Sequence, residues 1–167
     1  RKLTGGIATW HFAPTDGARE NLLAEGVAAE AIAVTGNTVI DALLTIRDRV
    51  RNEPFVSTGL PELNAERRLI LVTGHRRESF GEGFRSLCQA LGQIAERDDV
   101  EIIYPVHLNP NVRKPVYEHL AGRSNIHLID PMEYLPFVAL MDRAEIIITD
   151  SGGIQEEAPS LRSEEHT

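Results

Sequence analysis

The stretch Ile146-Ile147-Ile148-Thr149-Asp150-Ser151-Gly152-Gly153-Ile154-Gln155-Glu156-Glu157 changes character twice. Its β-branched apolar run reads as a buried strand. The run stops at a small polar Gly-Gly turn, and a helix-forming segment with two carboxylates follows. Such a strand–loop–helix junction can offer backbone N–H groups to a phosphate at the positive end of a helix dipole. Glu157 falls in the second turn of that helix, where a carboxylate could accept ribose hydroxyls. The segment therefore points to a nucleotide-handling site on an α/β scaffold. Taken alone, Ser151-Gly152-Gly153 could equally cap a helix and turn the chain.

Upstream, the same alternation repeats. Apolar strands are expected over 69–73, 101–106, 126–129 and 145–149. Helices are expected over 83–96, 111–120 and 134–141, the second interrupted near Pro115 and the third with Pro136 tolerated in its first turn. Closer to the start, strands are expected over 8–13 and 31–34, and helices over 16–24 and 39–51. Thr15 serves as an N-cap, and Gly26 ends the first of these helices. Residues 52–68 are rich in Pro, Gly and polar residues without periodicity and read as an interdomain linker. Short apolar strands alternating with helices predict a parallel, doubly wound sheet.

The polar residues cluster after the strands. Gly74-His75-Arg76-Arg77-Glu78, His107-Leu108-Asn109-Pro110, Asp130-Pro131-Met132-Glu133 and Asp150-Ser151-Gly152-Gly153 each follow one strand of the second half. In an open parallel sheet these loops share the carboxyl edge, where ligands bind. Each cluster also has a bland reading: His75 as a hydrogen-bonded loop residue, Arg76 to Glu78 as a solvated charge run, His107 as a turn residue. His11, His119 and His127 have no polar residues clustered around them in the sequence and are assigned no chemistry.

Composition sets outer bounds. The chain has 167 residues, 42% of them hydrophobic, enough to bury an ordinary core. Its formal net charge of -8 argues against nucleic acid as a partner, although an anionic nucleotide can still be met by local basic residues. Cys88 is the single cysteine, so neither a disulfide framework nor a Cys-x-x-Cys zinc pattern is expected. No metal-ligand spacing appears, and neither metal nor cofactor is called for. No long apolar run or signal pattern is seen, so a cytoplasmic protein without membrane association is expected. The chain starts at Arg1 rather than Met and reads as a fragment.

The motifs carry a resemblance. Thr73-Gly74-His75-Arg76-Arg77-Glu78-Ser79-Phe80-Gly81, Tyr104-Pro105-Val106-His107-Leu108-Asn109-Pro110-Asn111-Val112 and the run from Thr149 to Pro159 resemble the bacterial non-hydrolysing UDP-N-acetylglucosamine 2-epimerases. So do Phe12-Ala13-Pro14-Thr15 and Thr35-Gly36-Asn37-Thr38-Val39-Ile40-Asp41-Ala42-Leu43. The resemblance covers nearly all of residues 1–161, in order. It implies a GT-B-type α/β fold of two Rossmann-like parallel-sheet domains, both incomplete here. Residues 1–51 would end the N-terminal domain, 52–68 link the two, and 69–161 begin the UDP-binding C-terminal domain. Residues 162–167, Arg-Ser-Glu-Glu-His-Thr, depart from the family pattern and read as a non-native tail, as translated sequencing adapter would give.

The family interconverts UDP-GlcNAc and UDP-ManNAc without a nicotinamide cofactor, by expelling UDP to leave 2-acetamidoglucal and adding it back. By resemblance, His75 lies near the diphosphate, and Ser151, Gly152 and Gly153 hold the phosphates. Glu157 matches the ribose-binding carboxylate. Phe137 and the backbone around Met132 match the uracil wall; the family often has Gln where this chain has Met132. Arg1 aligns with an active-site arginine. Arg76 and His107 match a second, regulatory UDP-GlcNAc site. The proton-transfer carboxylates are expected upstream of Arg1, so the fragment itself is expected to be inactive. The resemblance further implies a homodimer for the full-length protein and a place in cell-envelope polysaccharide synthesis. A GT-B glycosyltransferase, a hydrolysing epimerase and a non-catalytic UDP-sugar sensor remain open alternatives.

Overall fold

A computed structural model of the chain describes residues 2–53, 60–74 and 81–161. The chain divides into two compact units, residues 1–43 and 44–167. In the first, α1 (Lys2–Ile7) leads to β1 (His11–Ala13), α2 (Asp16–Ala24), a 3-10 turn and β2 (Ile32–Val34). The boundary between units falls within α3 (Thr38–Asn52). β1 and β2 pair in parallel, with His11 opposite Ile32 and Ala13 opposite Val34.

Local chemistry explains the ends of α2. Thr15 Oγ1 accepts the Ala18 N–H at 3.1 Å, as an N-cap should. At the other end Gly26 has φ 88°, Val27 N–H reaches Leu22 O and Gly26 N–H reaches Leu23 O, each at 3.0 Å. This double closure is the Schellman arrangement, which a glycine in the left-handed region permits. The strand expected over 8–13 is shorter, beginning at His11, and a helix over Lys2–Ile7 precedes it. That helix buries no residue and contains Gly5 and Gly6, so neither periodicity nor propensity marks it in the sequence.

The second unit is a four-stranded, wholly parallel sheet: β3 (Arg68–Thr73), β4 (Val100–Pro105), β5 (Ile126–Ile129) and β6 (Ile146–Thr149), in the order β5-β4-β3-β6. Four helices alternate with the strands: α4 (Glu82–Ile94), α5 (Pro110–Leu120), α6 (Tyr134–Arg143) and α7 (Gly152–Glu157). Central β3 is buried from Leu69 through Thr73, the continuous pattern of a parallel strand covered on both faces. On one face Ile70, Val72, Val100, Ile102 and Tyr104 pack with Phe84, Cys88 and Leu91 of α4 and Val112, Val116 and Leu120 of α5.

The interruption expected near Pro115 does not occur, and α5 runs unbroken through it. A proline at that position removes the bond to the Asn111 carbonyl and crowds that carbonyl with its ring. Val112, Val116 and Leu120, all fully buried at helical spacing, hold the helix against the sheet.

The other face of β4 carries Glu101, a carboxylate only 4% exposed. Its Oε1 lies 2.8 Å from His127 Nε2, and its Oε2 accepts the Asn64 N–H at 2.7 Å. Because Ile103 pairs with His127, Glu101 is the diagonal neighbour of the histidine on the same face. His127, to which the sequence assigns no chemistry, therefore has a buried cross-strand partner.

Cys88 is 1% exposed, and burial pushes its thiol up to about 11. In native protein at about pH 8, below even the ordinary thiol range, it should react with a thiol reagent far more slowly than a free cysteine. In urea it should label fully. Rapid labelling of the native chain would contradict the packing of α4 on β3 and β4.

Candidate functional site

The strand order creates the site. From β3 the chain moves outward to β4 and β5, then crosses back to place β6 on the opposite side of β3. The crossover makes β3 and β6 neighbours, and this reversal of strand order is the topological switch point of an open α/β sheet. A cavity of about 430 Å³ opens there. Thr73 and Gly74, then Ile148, Thr149 and Asp150, form its strand-side walls, with Gly83 and Leu87 from α4.

Close packing shapes this crevice. A Cβ built on Gly74 would sit 3.2 Å from the Tyr104 hydroxyl oxygen and 3.9 Å from Asp150 Oδ2, so only glycine fits without displacement. The fully buried Tyr104 donates its hydroxyl to Gly74 O at 2.9 Å. Burial, and after it the nearby Cys88 and Asp150, raise the Tyr104 pKa, so this hydroxyl stays a donor. Across the crevice, the Thr73 hydroxyl donates to Thr149 Oγ1 at 2.7 Å, and Ser151 N–H donates to the same oxygen at 3.0 Å. Asp150 N–H reaches Thr73 O at 3.2 Å and continues the β3–β6 ladder into the loop.

Ser151 occupies the N-cap position of α7 with φ −84° and ψ 122°, but its side chain makes no capping bond. The first amides of a helix have no intrahelical partner, so Gly152 and Gly153 present N–H groups suited to an anion. At the far end of α7, Glu157 is 9% exposed, and burial first, Glu156 second, raise its pKa. Burial first, and Glu157 after it, raise the pKa of Tyr134, the first residue of α6. Met132 precedes α6 and Phe137 lies in its first turn, both half-buried.

The residues expected from the sequence are therefore placed unequally. Ser151, Gly152 and Gly153 lie where β6 leaves the crevice wall, and Glu157 ends the α7 helix that starts there. Tyr104, Thr149 and Tyr134 were not singled out in the sequence; an aromatic directly after the Asp130–Glu133 loop is the one linear signal for Tyr134. His107 follows β4, and its Nδ1 accepts the Asn109 N–H at 3.1 Å within the turn that Asn109 caps for α5. His75, Arg76 and Arg1 lie outside the described residues. Among the described residues no group of three or more His, Cys, Asp or Glu is placed to hold a metal ion. A larger cavity, about 580 Å³ in residues 1–43 and lined by Lys2, His11 and Glu25 among others, contains none of the expected residues. Topology and chemistry both favour the crevice between β3 and β6.

Glu157 yields a test with a definite sign. A raised carboxyl pKa means that its proton is held more tightly in the folded state. The associated stability is fully present below the unfolded pKa near 4.5 and is lost as pH rises through the higher folded value. Glu157→Gln should therefore raise the thermal midpoint at neutral pH, with the gain vanishing in acid below the unfolded value. A gain that persists in acid, or a loss at neutral pH, would contradict the burial assigned to this carboxylate.

Comparison with known proteins gives one consistent answer. The family model for UDP-N-acetylglucosamine 2-epimerase matches residues 1–164. A probable UDP-N-acetylglucosamine 2-epimerase of Ralstonia nicotianae is 61% identical over 166 residues, and the UDP-N-acetylglucosamine 2-epimerase of Yersinia pestis is 58% identical over 166. Each alignment covers 96% of this chain and 44% of the relative, so the chain spans less than half the length of these curated relatives. The crystal structure of UDP-GlcNAc 2-epimerase from Neisseria meningitidis, bound to UDP-GlcNAc, superposes with a TM-score of 0.81 at 44% identity. It too is matched over 96% of this chain and 44% of its own. The fold class is the GT-B-type, Rossmann-like α/β class of these proteins, and its parallel sheets are those described above. With a family model matched from end to end of the described residues and a solved member sharing its fold, the chain belongs to the UDP-N-acetylglucosamine 2-epimerase family.

Proposed function

We propose that the protein carrying this chain is a non-hydrolysing UDP-GlcNAc 2-epimerase that interconverts UDP-GlcNAc and UDP-ManNAc. The observation that carries the reading is the crevice at the β3–β6 switch point, with Gly74 on one wall and Asp150 leading into Ser151-Gly152-Gly153 on the other. Two family members, the 61% and 58% identical relatives, bear the epimerase name, and a solved member holds UDP-GlcNAc.

In this reading the C2 proton goes to a carboxylate. The C1–O bond breaks with its electron pair leaving on UDP, and the C1=C2 bond of 2-acetamidoglucal forms. UDP then adds back to C1 while C2 takes a proton on its other face, so the reaction is an isomerisation with no net oxidation. Negative charge grows on the β-phosphate as UDP departs, so fixed donors there lower the barrier most. Ser151, Gly152 and Gly153 supply donors by hydroxyl and backbone N–H, and His75 adds a further donor or cation. Glu157 takes the ribose hydroxyls, and Phe137 with the backbone at Met132 walls the uracil. Arg1 belongs to the same active site, and Arg76 and His107 to a regulatory UDP-GlcNAc site.

The proton-transfer carboxylates belong to an N-terminal domain of which residues 1–51 are the end; residues 52–68 link it to the UDP-binding domain begun by 69–161. Residues 1–167 alone are then inactive. The full-length enzyme works as a cytoplasmic homodimer. Among the described residues no helix is long and apolar enough to cross a membrane.

Deuterated water tests the proposal. Full-length protein given UDP-GlcNAc should place deuterium at C2 of both epimers, and His75→Asn should slow this about 10²- to 10³-fold, the scale of losing one such donor. Residues 1–167 alone should give no exchange. Sugar transfer without C2 exchange, release of free ManNAc, or an undiminished His75→Asn variant would overturn the corresponding part of the reading.

A further inference from the structure

We infer that Tyr104 is a positioning residue: its hydroxyl fixes the Gly74 peptide, and with it the point from which the chain departs toward His75. The role of His75 at the diphosphate rests on the epimerase reading; the anchoring of Gly74 rests on geometry.

Gly74 is the first residue past β3, is buried, and forms part of the crevice wall. A Cβ there would lie 3.2 Å from the Tyr104 oxygen, with Leu87 Cδ2 at 3.6 Å and Asp150 Oδ2 at 3.9 Å. A side chain at this position would enter only by displacing the tyrosine hydroxyl. Glycine, however, restrains its own backbone less than any other residue. A position that packing reserves for glycine therefore needs its anchor from outside.

Tyr104 supplies that anchor. It lies in β4, paired with Leu128 of β5, and its fully buried ring belongs to the core formed with Phe84 and Cys88 of α4. From there its hydroxyl donates to Gly74 O at 2.9 Å. Burial raises its pKa, so the proton stays on the oxygen and the bond keeps its direction. A peptide unit is planar and trans, so a bond to the Gly74 carbonyl orients the whole unit that links Gly74 to residue 75. Without the hydroxyl this carbonyl would lose its buried donor, and a glycine peptide can turn to seek another. Such a turn shifts the crevice wall and the departure of the chain toward His75. A tyrosine that merely filled the core would act on stability, and its loss would be felt equally with or without the His75 imidazole.

Deuterium exchange at C2 of UDP-GlcNAc by the full-length protein tests the coupling. Tyr104→Phe keeps the ring and should lower kcat about tenfold, the scale of one buried hydrogen bond. In a His75→Asn background the same change should cost less than about twofold, because both act through one group. Equal slowing in the two backgrounds, or wild-type kcat in Tyr104→Phe, would overturn the inference. Gly74→Ala reaches the same contact from the other side and serves should Tyr104→Phe not fold. Its slowing should likewise shrink in His75→Asn, and undiminished slowing there would refute the coupling. Wild-type protein that gives no C2 exchange would count against the epimerase reading instead. The imidazole resonances of His75 then decide the positioning without ligand. They should move in Tyr104→Phe while those of His127, on the other face of the sheet, stay in place; shifts at both histidines alike, or none at His75, refute it.

Discussion

The parallel pairing of β3 with β6 is the constraint on which the rest of the second unit depends. Ile70 to Thr73 lie opposite Ile146 to Thr149, while β4 occupies the other edge of β3. This register brings the two threonines face to face and ends both strands at the same level. One wall of the crevice can then be Gly74 and the other Asp150. A slip by one residue would turn every side chain of β6 to the opposite face and separate the threonine pair. Burial of β3 on both faces opposes such a slip.

Around that pairing the polar groups divide into two kinds. Some are satisfied internally and hold the scaffold: Tyr104 on the Gly74 carbonyl, and Glu101 between His127 and the Asn64 amide. Others take no part in that scaffold, among them the Ser151 hydroxyl, which does not cap α7. Glu157 lies between these kinds. Its charge is disfavoured where it sits, by burial and by Glu156. The GT-B-type class supplies the crevice; the epimerase reading draws on these particular groups and on the relatives that share the motifs around them.

Much of this was legible along the chain because its cause is local. Thr15 and Gly26 bracket α2 through bonds that span no more than five residues. The β-branched runs mark β3 and β6, and the glycines after Ser151 mark the start of α7. Where local signals were absent or misleading, the reading failed for physical reasons. The glycine-bearing α1 buries nothing and has no pattern to read. Pro115 suggested a break that the buried stripe Val112, Val116 and Leu120 overrides.

By itself the sequence determined the alternation of strand and helix, the polar loops after the strands, and the motifs that place the chain in its family. These follow from periodicity, turn chemistry and short-range capping, which each segment carries within itself. Only the tertiary structure decided that β6 lies beside β3, and with it which two loops face each other. It alone paired Tyr104 with Gly74, Glu101 with His127, and Thr73 with Thr149, across sequence separations of 30, 26 and 76 residues. Periodicity records that a side of an element is buried and not what covers it. The covering partner is chosen by the packing of the whole sheet.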